Sequence, residues 1–210
     1  MRKLILSMML SADGHTARPD GDLGWFLTDA DFEDEMLGLL GSVDAMLFGR
    51  KSYRLLADYW PSAAEPGSLD APGGFTSRER AIEFARLMNT IPKLVISSER
   101  GALDWGPAQR IGDDLAAEVR RLKNEPGRDL VAFAGATAAQ SLIRLDLVDE
   151  YRLMLHPILL GQGLRLFGAR PPEGPPPEQP LKLLDARTFS SGVVLVRYAR
   201  DRAGQGTGAA

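Results

Sequence analysis

The feature that most constrains this chain is the alternation of short apolar runs with segments of helical period. Several runs have the length of a buried strand, and most lead into a stretch whose apolar residues recur every three or four positions. This alternation is typical of a sheet with helices on its faces, because each helix buries one apolar side against the strands. We therefore predict an α/β fold with a mostly parallel central sheet.

The predicted elements follow one another as strand–helix–strand units. Strands are predicted at residues 4–10, 45–48, 93–97, 130–134 and 151–155. Helices are predicted at residues 31–40, 52–58 and 78–88, and two more begin at a cap on Asp113 and at Gly135. Crossovers of this kind make neighbouring strands parallel, with right-handed connections.

The last part of the sequence has a different pattern. Apolar runs at 181–184 and 193–198 flank a turn near Ser190, Ser191 and Gly192, which predicts a pair of antiparallel strands at one edge of the sheet. Residues 61–75 and the proline-rich residues 171–180 are predicted to be loops, and residues 203–210 a disordered tail. The length of 210 residues fits one domain, which we place at residues 1–200.

Composition excludes several classes of function. The chain has no cysteine, so it has no disulfide, thiolate metal site or cysteine nucleophile, and we predict no metal. A net charge of -3 with interspersed acids and bases lacks the basic face that nucleic acid binding requires. The first apolar run is too short to span a membrane. We expect a cytoplasmic protein that acts on a small molecule, with neither nucleic acid nor membrane as a partner.

The tetrad Gly49, Arg50, Lys51 and Ser52 lies where a predicted strand leads into a helix. Free backbone donors, the positive end of the helix and two cationic side chains meet there, so an anion fits. The glycine spacing is not that of a Walker A loop. A solvated basic helix start explains these residues equally well.

Gly135, Ala136 and Thr137 form a second junction between a predicted strand and a helix. Small residues let a ligand such as pyrophosphate reach the backbone donors there, although an ordinary tight connection has the same sequence. Ser97 and Ser98 end another predicted strand and add hydroxyls at the same edge of a parallel sheet, where ligands collect.

A histidine and a group of acids complete the candidates. His156 follows a predicted strand, but no carboxylate and nucleophile pattern surrounds it, so a structural role is favoured. The acids after Trp25, Phe26 and Leu27 have the pattern of a charged helix face. One acid beside this apolar segment could nevertheless protonate or orient a heterocycle.

Four segments together resemble one family. They are KLILSMMLSADG at 3–14, LFGRKSY at 47–53, AGAT at 134–137 and HPILLGQG at 156–163. Each is weak alone, and the combination is specific. Over residues 2–200 the chain resembles the dihydrofolate reductase superfamily, in the branch of the reductase domain of bacterial riboflavin-biosynthesis deaminase-reductases and its stand-alone relatives. The resemblance implies a three-layer dihydrofolate-reductase-like fold and a homodimer.

The resemblance also implies NADPH as the cofactor and assigns residues to it. The 2'-phosphate and ribose would bind at Gly49, Arg50, Lys51 and Ser52, with Ser97 and Ser98 nearby, and the pyrophosphate at Gly135, Ala136 and Thr137. Asp13 would lie near the nicotinamide and substrate. Asp31 would correspond to the acid that meets the substrate ring in the folate enzymes.

The sequence departs from the folate enzymes at two places. Ala134–Gly135 stands where they carry a Gly-Gly pair, and their tryptophan-leucine-proline entrance is present only in part, at Trp25. The chain also lacks a zinc-deaminase signature. We predict a lone NADPH-dependent reductase of a small heterocycle, pterin- or folate-like or a pyrimidine. The alternatives are a 5-amino-6-(5-phosphoribosylamino)uracil-type reductase, with Arg18 and Arg165 as candidate contacts to the sugar phosphate, and a catalytically inert nucleotide-binding dimer.

Overall fold

The computed structural model describes residues 1–63, 75–168, 174 and 176–202. Its strands are β1 (Leu4–Ser11), β2 (His15–Ala17), β3 (Val43–Gly49), β4 (Lys93–Ile96), β5 (Ala108–Ile111), β6 (Asp129–Ala132), β7 (Glu150–His156), β8 (Leu164–Arg165), β9 (Leu181–Thr188) and β10 (Val194–Arg200). Its helices are α1 (Ala30–Ser42), α2 (Arg50–Ala57), α3 (Trp60–Ala63), α4 (Arg78–Thr90), α5 (Leu115–Asn124) and α6 (Ala136–Arg144). In the described part of the chain no helix is both long enough and apolar enough to cross a bilayer.

Eight of the strands form one sheet in the order β5-β4-β3-β6-β1-β7-β10-β9. Neighbours from β5 to β7 are parallel, whereas β10 is antiparallel to both β7 and β9. β2 and β8 form a separate antiparallel pair. The predicted α/β class, the mostly parallel sheet and the antiparallel C-terminal strands are confirmed.

Apolar residues on the two sides of the sheet form two separate cores. Leu4 and Leu6 of β1 pack in one cluster with residues of α5 and α6. Ile5, between them on the opposite side, packs in the other cluster with residues of α1 and α4. Because alternate residues of a strand point to opposite faces, this division gives the predicted three layers, with helices on both faces.

Three predictions of local structure were wrong, and the two short strands β2 and β8 were not predicted. No strand was predicted at Ala108–Ile111, where Gln109 and Arg110 are polar and only Ile111 is buried, because the strand lies at the edge of the sheet. The cap of α5 is Asp114, which accepts a hydrogen bond from the Ala117 backbone nitrogen at 3.0 Å. Asp113, the predicted cap, instead forms an ion pair with Arg110 at 2.5 Å.

The third error concerns residues 61–63, which belong to α3 and not to the predicted loop. The rest of that predicted loop lies mainly at 64–74, outside the described residues, as do residues 169–173 and 175 around the predicted proline-rich loop. The predicted tail at 203–210 also lies outside the described residues.

The order of the strands opens a crevice at their carboxyl ends. β3 and β6 are neighbours in the sheet, but the chain leaves them in opposite directions. After β3 it continues to β4 on one side, and after β6 it crosses over β1 to β7 on the other side. The helices that follow pack on opposite faces, because Tyr53 of α2 belongs to the core under α1 and α4, and Leu142 of α6 belongs to the other core. Ligands of open α/β sheets bind at such a switch point.

Candidate functional site

The two predicted junctions of strand and helix are in direct contact at this crevice. Gly49 ends β3 and precedes α2, and Gly135 precedes α6. A Cβ atom placed on Gly49 would lie 3.0 Å from Ala138 Cβ, and one placed on Gly135 would lie 3.0 Å from Ser52 Oγ. Side chains at these glycines would therefore crowd the opposite junction, and the glycines allow the two helix starts to approach closely.

Both helix starts leave their first backbone donors without a side-chain cap. Gly49 and Gly135 have extended backbone conformations and make no side-chain cap hydrogen bond. The first N–H groups of a helix have no partner within the helix, and the helix dipole is positive there. Two such starts side by side form an environment that fits the phosphate groups of a dinucleotide.

The guanidinium group of Arg50 adds a positive charge at the start of α2, and no acid among the described residues forms an ion pair with it. Its Nε and Nη1 atoms are buried and have no hydrogen-bond partner among the described residues. Arg50 lines a cavity of about 490 Å³ together with Tyr53, Gly101 and Trp105. A guanidinium group stays charged at any physiological pH, so burial without a partner is costly and an anionic ligand would relieve that cost.

The remaining predicted cofactor residues lie around the same crevice. Lys51 and Thr137 are exposed in the first turns of α2 and α6, and Ala136 is buried. Ser97 and Ser98 follow β4, the strand beside β3, where the Ser97 hydroxyl accepts a hydrogen bond from the Glu99 backbone nitrogen at 3.0 Å. The structure thus gathers the predicted cofactor residues at one edge of the sheet.

Asp13 holds two loops together beyond β1. Its carboxylate accepts hydrogen bonds from Ser11 Oγ at 2.6 Å and from the backbone nitrogens of Leu160 and Gly161 at 3.1 and 2.7 Å. These donors, Ser11 first, hold the pKa of Asp13 well below its usual range. An ionised Asp13 therefore connects the turn after β1 to the loop after β7, and its predicted catalytic role stays a prediction.

Asp31 lies in the first turn of α1 and contacts the turn between β9 and β10. Its carboxylate accepts hydrogen bonds from Ser190 Oγ at 2.6 Å and from the Ser190 backbone nitrogen at 2.7 Å. These bonds lower the pKa of Asp31. An acid in this environment is ionised at neutral pH, so it can orient a ligand or accept a proton but holds no proton to give. Its predicted contact with the substrate ring stays a prediction.

An aromatic cluster surrounds His156, for which the sequence predicted a structural role. His156 ends β7 opposite Ser11 of β1, with Trp25 edge-on at 5.3 Å and Phe26 stacked at 5.4 Å between ring centroids. The Leu27 backbone nitrogen donates to His156 Nδ1 at 3.2 Å. The signal in the sequence was the Trp-Phe pair, but only the fold brings that pair onto the end of β7.

The two arginines considered for a sugar phosphate lie in different surroundings. Arg18 forms a surface ion pair with Asp22. Arg165 belongs to β8, and its backbone oxygen accepts a hydrogen bond from Gln140 of α6 at 2.9 Å.

Comparison with solved structures defines the class of fold. Dihydrofolate reductase from Enterococcus faecalis, complexed with NADP(H), aligns with a TM-score of 0.56 and 11% identity over 95% of this chain and 96% of that one. A diaminohydroxyphosphoribosylaminopyrimidine deaminase/5-amino-6-(5-phosphoribosylamino)uracil reductase from Thermotoga maritima aligns with a TM-score of 0.61 and 17% identity over 95% of this chain and 56% of that one. The fold is therefore dihydrofolate-reductase-like.

Sequence comparison identifies the family within that class. Residues 2–195 match the RibD C-terminal domain, and the chain belongs to that family. It is also 33% identical to the uncharacterized protein YyaP of Bacillus subtilis over 199 residues. This alignment covers 94% of each protein. Together with the fold, this membership supports a reductase.

Proposed function

We propose that this chain is an NADPH-dependent reductase that reduces a small heterocyclic substrate, pterin- or folate-like or a pyrimidine. The observation that carries the proposal is the contact between two uncapped helix starts beside the unpaired guanidinium of Arg50. These features supply backbone donors for a pyrophosphate and a cation for a further phosphate.

The residues present fit the phosphorylated form of the cofactor. The start of α6, at Gly135, Ala136 and Thr137, would hold the pyrophosphate. The 2'-phosphate and ribose would bind at the start of α2, at Gly49, Arg50, Lys51 and Ser52. A charge-assisted hydrogen bond contributes about 1.5 to 3 kcal/mol, so Arg50 alone would favour NADPH over NADH by roughly tenfold to a hundredfold. When bound, the cofactor supplies the hydride, and the protein supplies binding and orientation.

The residues of this chain would act on the substrate from the ends of β1 and β7. Asp13 fixes the loop at 158–161 against the turn after β1, so it would act by positioning. Asp31 would orient the substrate as a carboxylate, and water would deliver the proton, since the hydrogen bonds from Ser190 lower the pKa of Asp31.

Arg50→Ala tests the proposal. We expect NADPH binding, measured by calorimetric titration, to weaken by roughly tenfold to a hundredfold while NADH binding changes little. Arg121→Ala is the matched control, because Arg121 is paired with Glu125 on the exposed side of α5. Equal weakening of NADPH and NADH would contradict the 2'-phosphate role of Arg50.

A 5-amino-6-(5-phosphoribosylamino)uracil-type reductase is the second candidate. It is favoured by the family and by the activity named for the Thermotoga maritima protein. NADPH oxidation assays with dihydropterin, dihydrofolate and this pyrimidine separate the two candidates. NADPH binding without oxidation by any of the three would favour an inert nucleotide-binding protein instead.

A homodimer through β9 is the form that we propose in solution. All eight residues of this edge strand are exposed, including the apolar Leu181, Leu183 and Leu184. An edge strand with an apolar surface is a template for pairing with a second copy. Light scattering should show a dimer that Leu183→Lys converts to a monomer, and a monomeric wild-type protein would contradict this assembly.

A further inference from the structure

His156 lies at the edge of the sheet where the candidate cofactor site opens. It is the last residue of β7, paired in register with Ser11 of β1. It is 1% exposed. Met154, two residues earlier on the same side of β7, belongs to the core under α1, so the imidazole lies on the face of the sheet that α1 covers.

The hydrogen bond from Leu27 fixes the tautomer of this imidazole. The Leu27 backbone nitrogen donates to Nδ1, so Nδ1 is an acceptor and carries no hydrogen. Burial lowers the pKa of His156 to about 4, so the ring is neutral at neutral pH. The single proton of the neutral ring is therefore on Nε2, which makes this atom a hydrogen-bond donor.

Within the described part of the chain, the Nε2 donor has no acceptor. Nε2 of His156 and Nε1 of Trp25 are both buried, and neither has a hydrogen-bond partner among the described residues. The two rings are in edge contact, with centroids 5.3 Å apart. Trp25 is itself 5% exposed. A buried donor without a partner costs free energy, and two such donors on rings in edge contact, beside the candidate site, indicate an absent acceptor.

We propose that His156 is a specificity-determining residue whose Nε2–H, with the Trp25 Nε1–H beside it, donates to a ring carbonyl oxygen of the substrate. This inference rests on the proposed function. A carbonyl edge satisfies these donors, whereas an edge of amino groups would place N–H against N–H. Trp25 and Phe26 cover the imidazole in a segment between β2 and α1, so this segment must shift as the ring enters.

The affinities of two related pteridines test whether the site donates hydrogen bonds to its ligand. Lumazine has carbonyl oxygens at positions 2 and 4, where 2,4-diaminopteridine has amino groups. Its N1 and N3 carry hydrogens, whereas those of 2,4-diaminopteridine are acceptors, and the pyrazine halves of the two rings are the same. In calorimetric titrations of the wild-type protein with saturating NADP⁺, we expect lumazine to bind about tenfold more tightly. The same titrations without NADP⁺ test the role of His156 independently of the cofactor. Absence of NADP⁺ binding would contradict the proposed function but not the role of His156.

Two variants of His156 separate the donor from the packing. In His156→Asn, the amide oxygen can accept from the Leu27 nitrogen as Nδ1 does, but no donor reaches the Nε2 position. We expect this variant to lose the preference for lumazine, because lumazine binds more weakly and 2,4-diaminopteridine does not, while its affinity for NADP⁺ is unchanged. His156→Gln places an amide donor near the Nε2 position and should recover part of the preference.

Nitrogen NMR of the wild-type protein gives an independent readout, because the chain contains only two histidines. The Nε2 resonance of His156 should show a protonated nitrogen and should move when lumazine is added. The proposal is overturned if lumazine does not bind, if that resonance stays in place while lumazine binds, or if His156→Asn weakens both pteridines equally.

Discussion

Three of the helices, α1, α4 and α5, begin differently from α2 and α6, the two helices at the candidate site. α1, α4 and α5 begin with Asp29, Ser77 and Asp114, whose side chains accept a hydrogen bond from the first turn of their own helix. α2 and α6 begin with Gly49 and Gly135, which have no side chain to do so. Where a capping side chain accepts from the helix end, the end contributes to stability, and where the cap residue has no side chain, a ligand can take the place of the cap.

Gly135→Asp would break this contrast by turning the open start of α6 into a capped one. The backbone at Gly135 has φ -67 and ψ 163, a conformation that any residue adopts, but a Cβ there would lie 3.0 Å from Ser52 Oγ. We therefore expect the free energy of unfolding to decrease by about 1 kcal/mol, with the protein still folded. NADPH binding should weaken by about a thousandfold, because a carboxylate would face the pyrophosphate.

Calorimetric titration and thermal unfolding of the same variant measure the two effects. Unchanged NADPH affinity in a folded Gly135→Asp protein would show that the pyrophosphate does not bind at α6. Ser141→Asp on the later turns of α6 is the control for added charge.

The pH dependence of stability tests how strongly the buried His156 near the candidate site affects folding. His156 is buried at the site edge, and burial lowers its pKa from 6.5 to about 4. The unfolded chain therefore binds more protons than the folded chain between these values. Stability should be fully present above pH 6.5 and should fall by about 3 kcal/mol as the pH decreases toward 4.

Urea unfolding at several pH values measures this dependence. In His156→Asn the contribution should disappear, leaving only the dependence that the carboxylates produce. An identical pH dependence in the wild-type protein and the variant would mean that His156 takes up its proton normally in the folded state.

Asp114→Ala would test the other side of the comparison, with the smallest expected effect. Loss of the cap on α5 should decrease the free energy of unfolding by about 1 kcal/mol and leave NADPH affinity unchanged. Asp113→Ala is the matched control, since the exposed ion pair with Arg110 should contribute less than about 1 kcal/mol. A larger effect at Asp113 than at Asp114 would reverse the assignment of the cap.

The sequence predicted the elements well where the pattern is local. Gly135 and the start of α6 were predicted because an apolar run, a glycine and a helical period follow one another without interruption. The strand at Ala108–Ile111 was missed, because an edge strand buries little and its polar residues carry no alternating signal. Asp113 and Asp114 are both good caps by residue type, and only the backbone conformation distinguishes them.

The candidate site was predicted in part for the same reason. Its anion-binding residues belong to two short motifs, so their chemistry could be recognised along the chain. The contacts of Asp31 with Ser190 and of Leu27 with His156 join segments far apart in sequence, and no local pattern announces them. The unpaired nitrogens of Arg50 are likewise visible only when every neighbouring acceptor has been placed.

By itself the sequence determined the alternation of strands and helices and the glycines at two helix starts, because periodicity and backbone freedom are properties of adjacent residues. Only the tertiary structure decided that β3 and β6 are neighbours, since strand order depends on which crossovers bury the most apolar surface. That order brings Gly49 close to Ala138 and Gly135 close to Ser52, and so makes one candidate site from two ordinary turns.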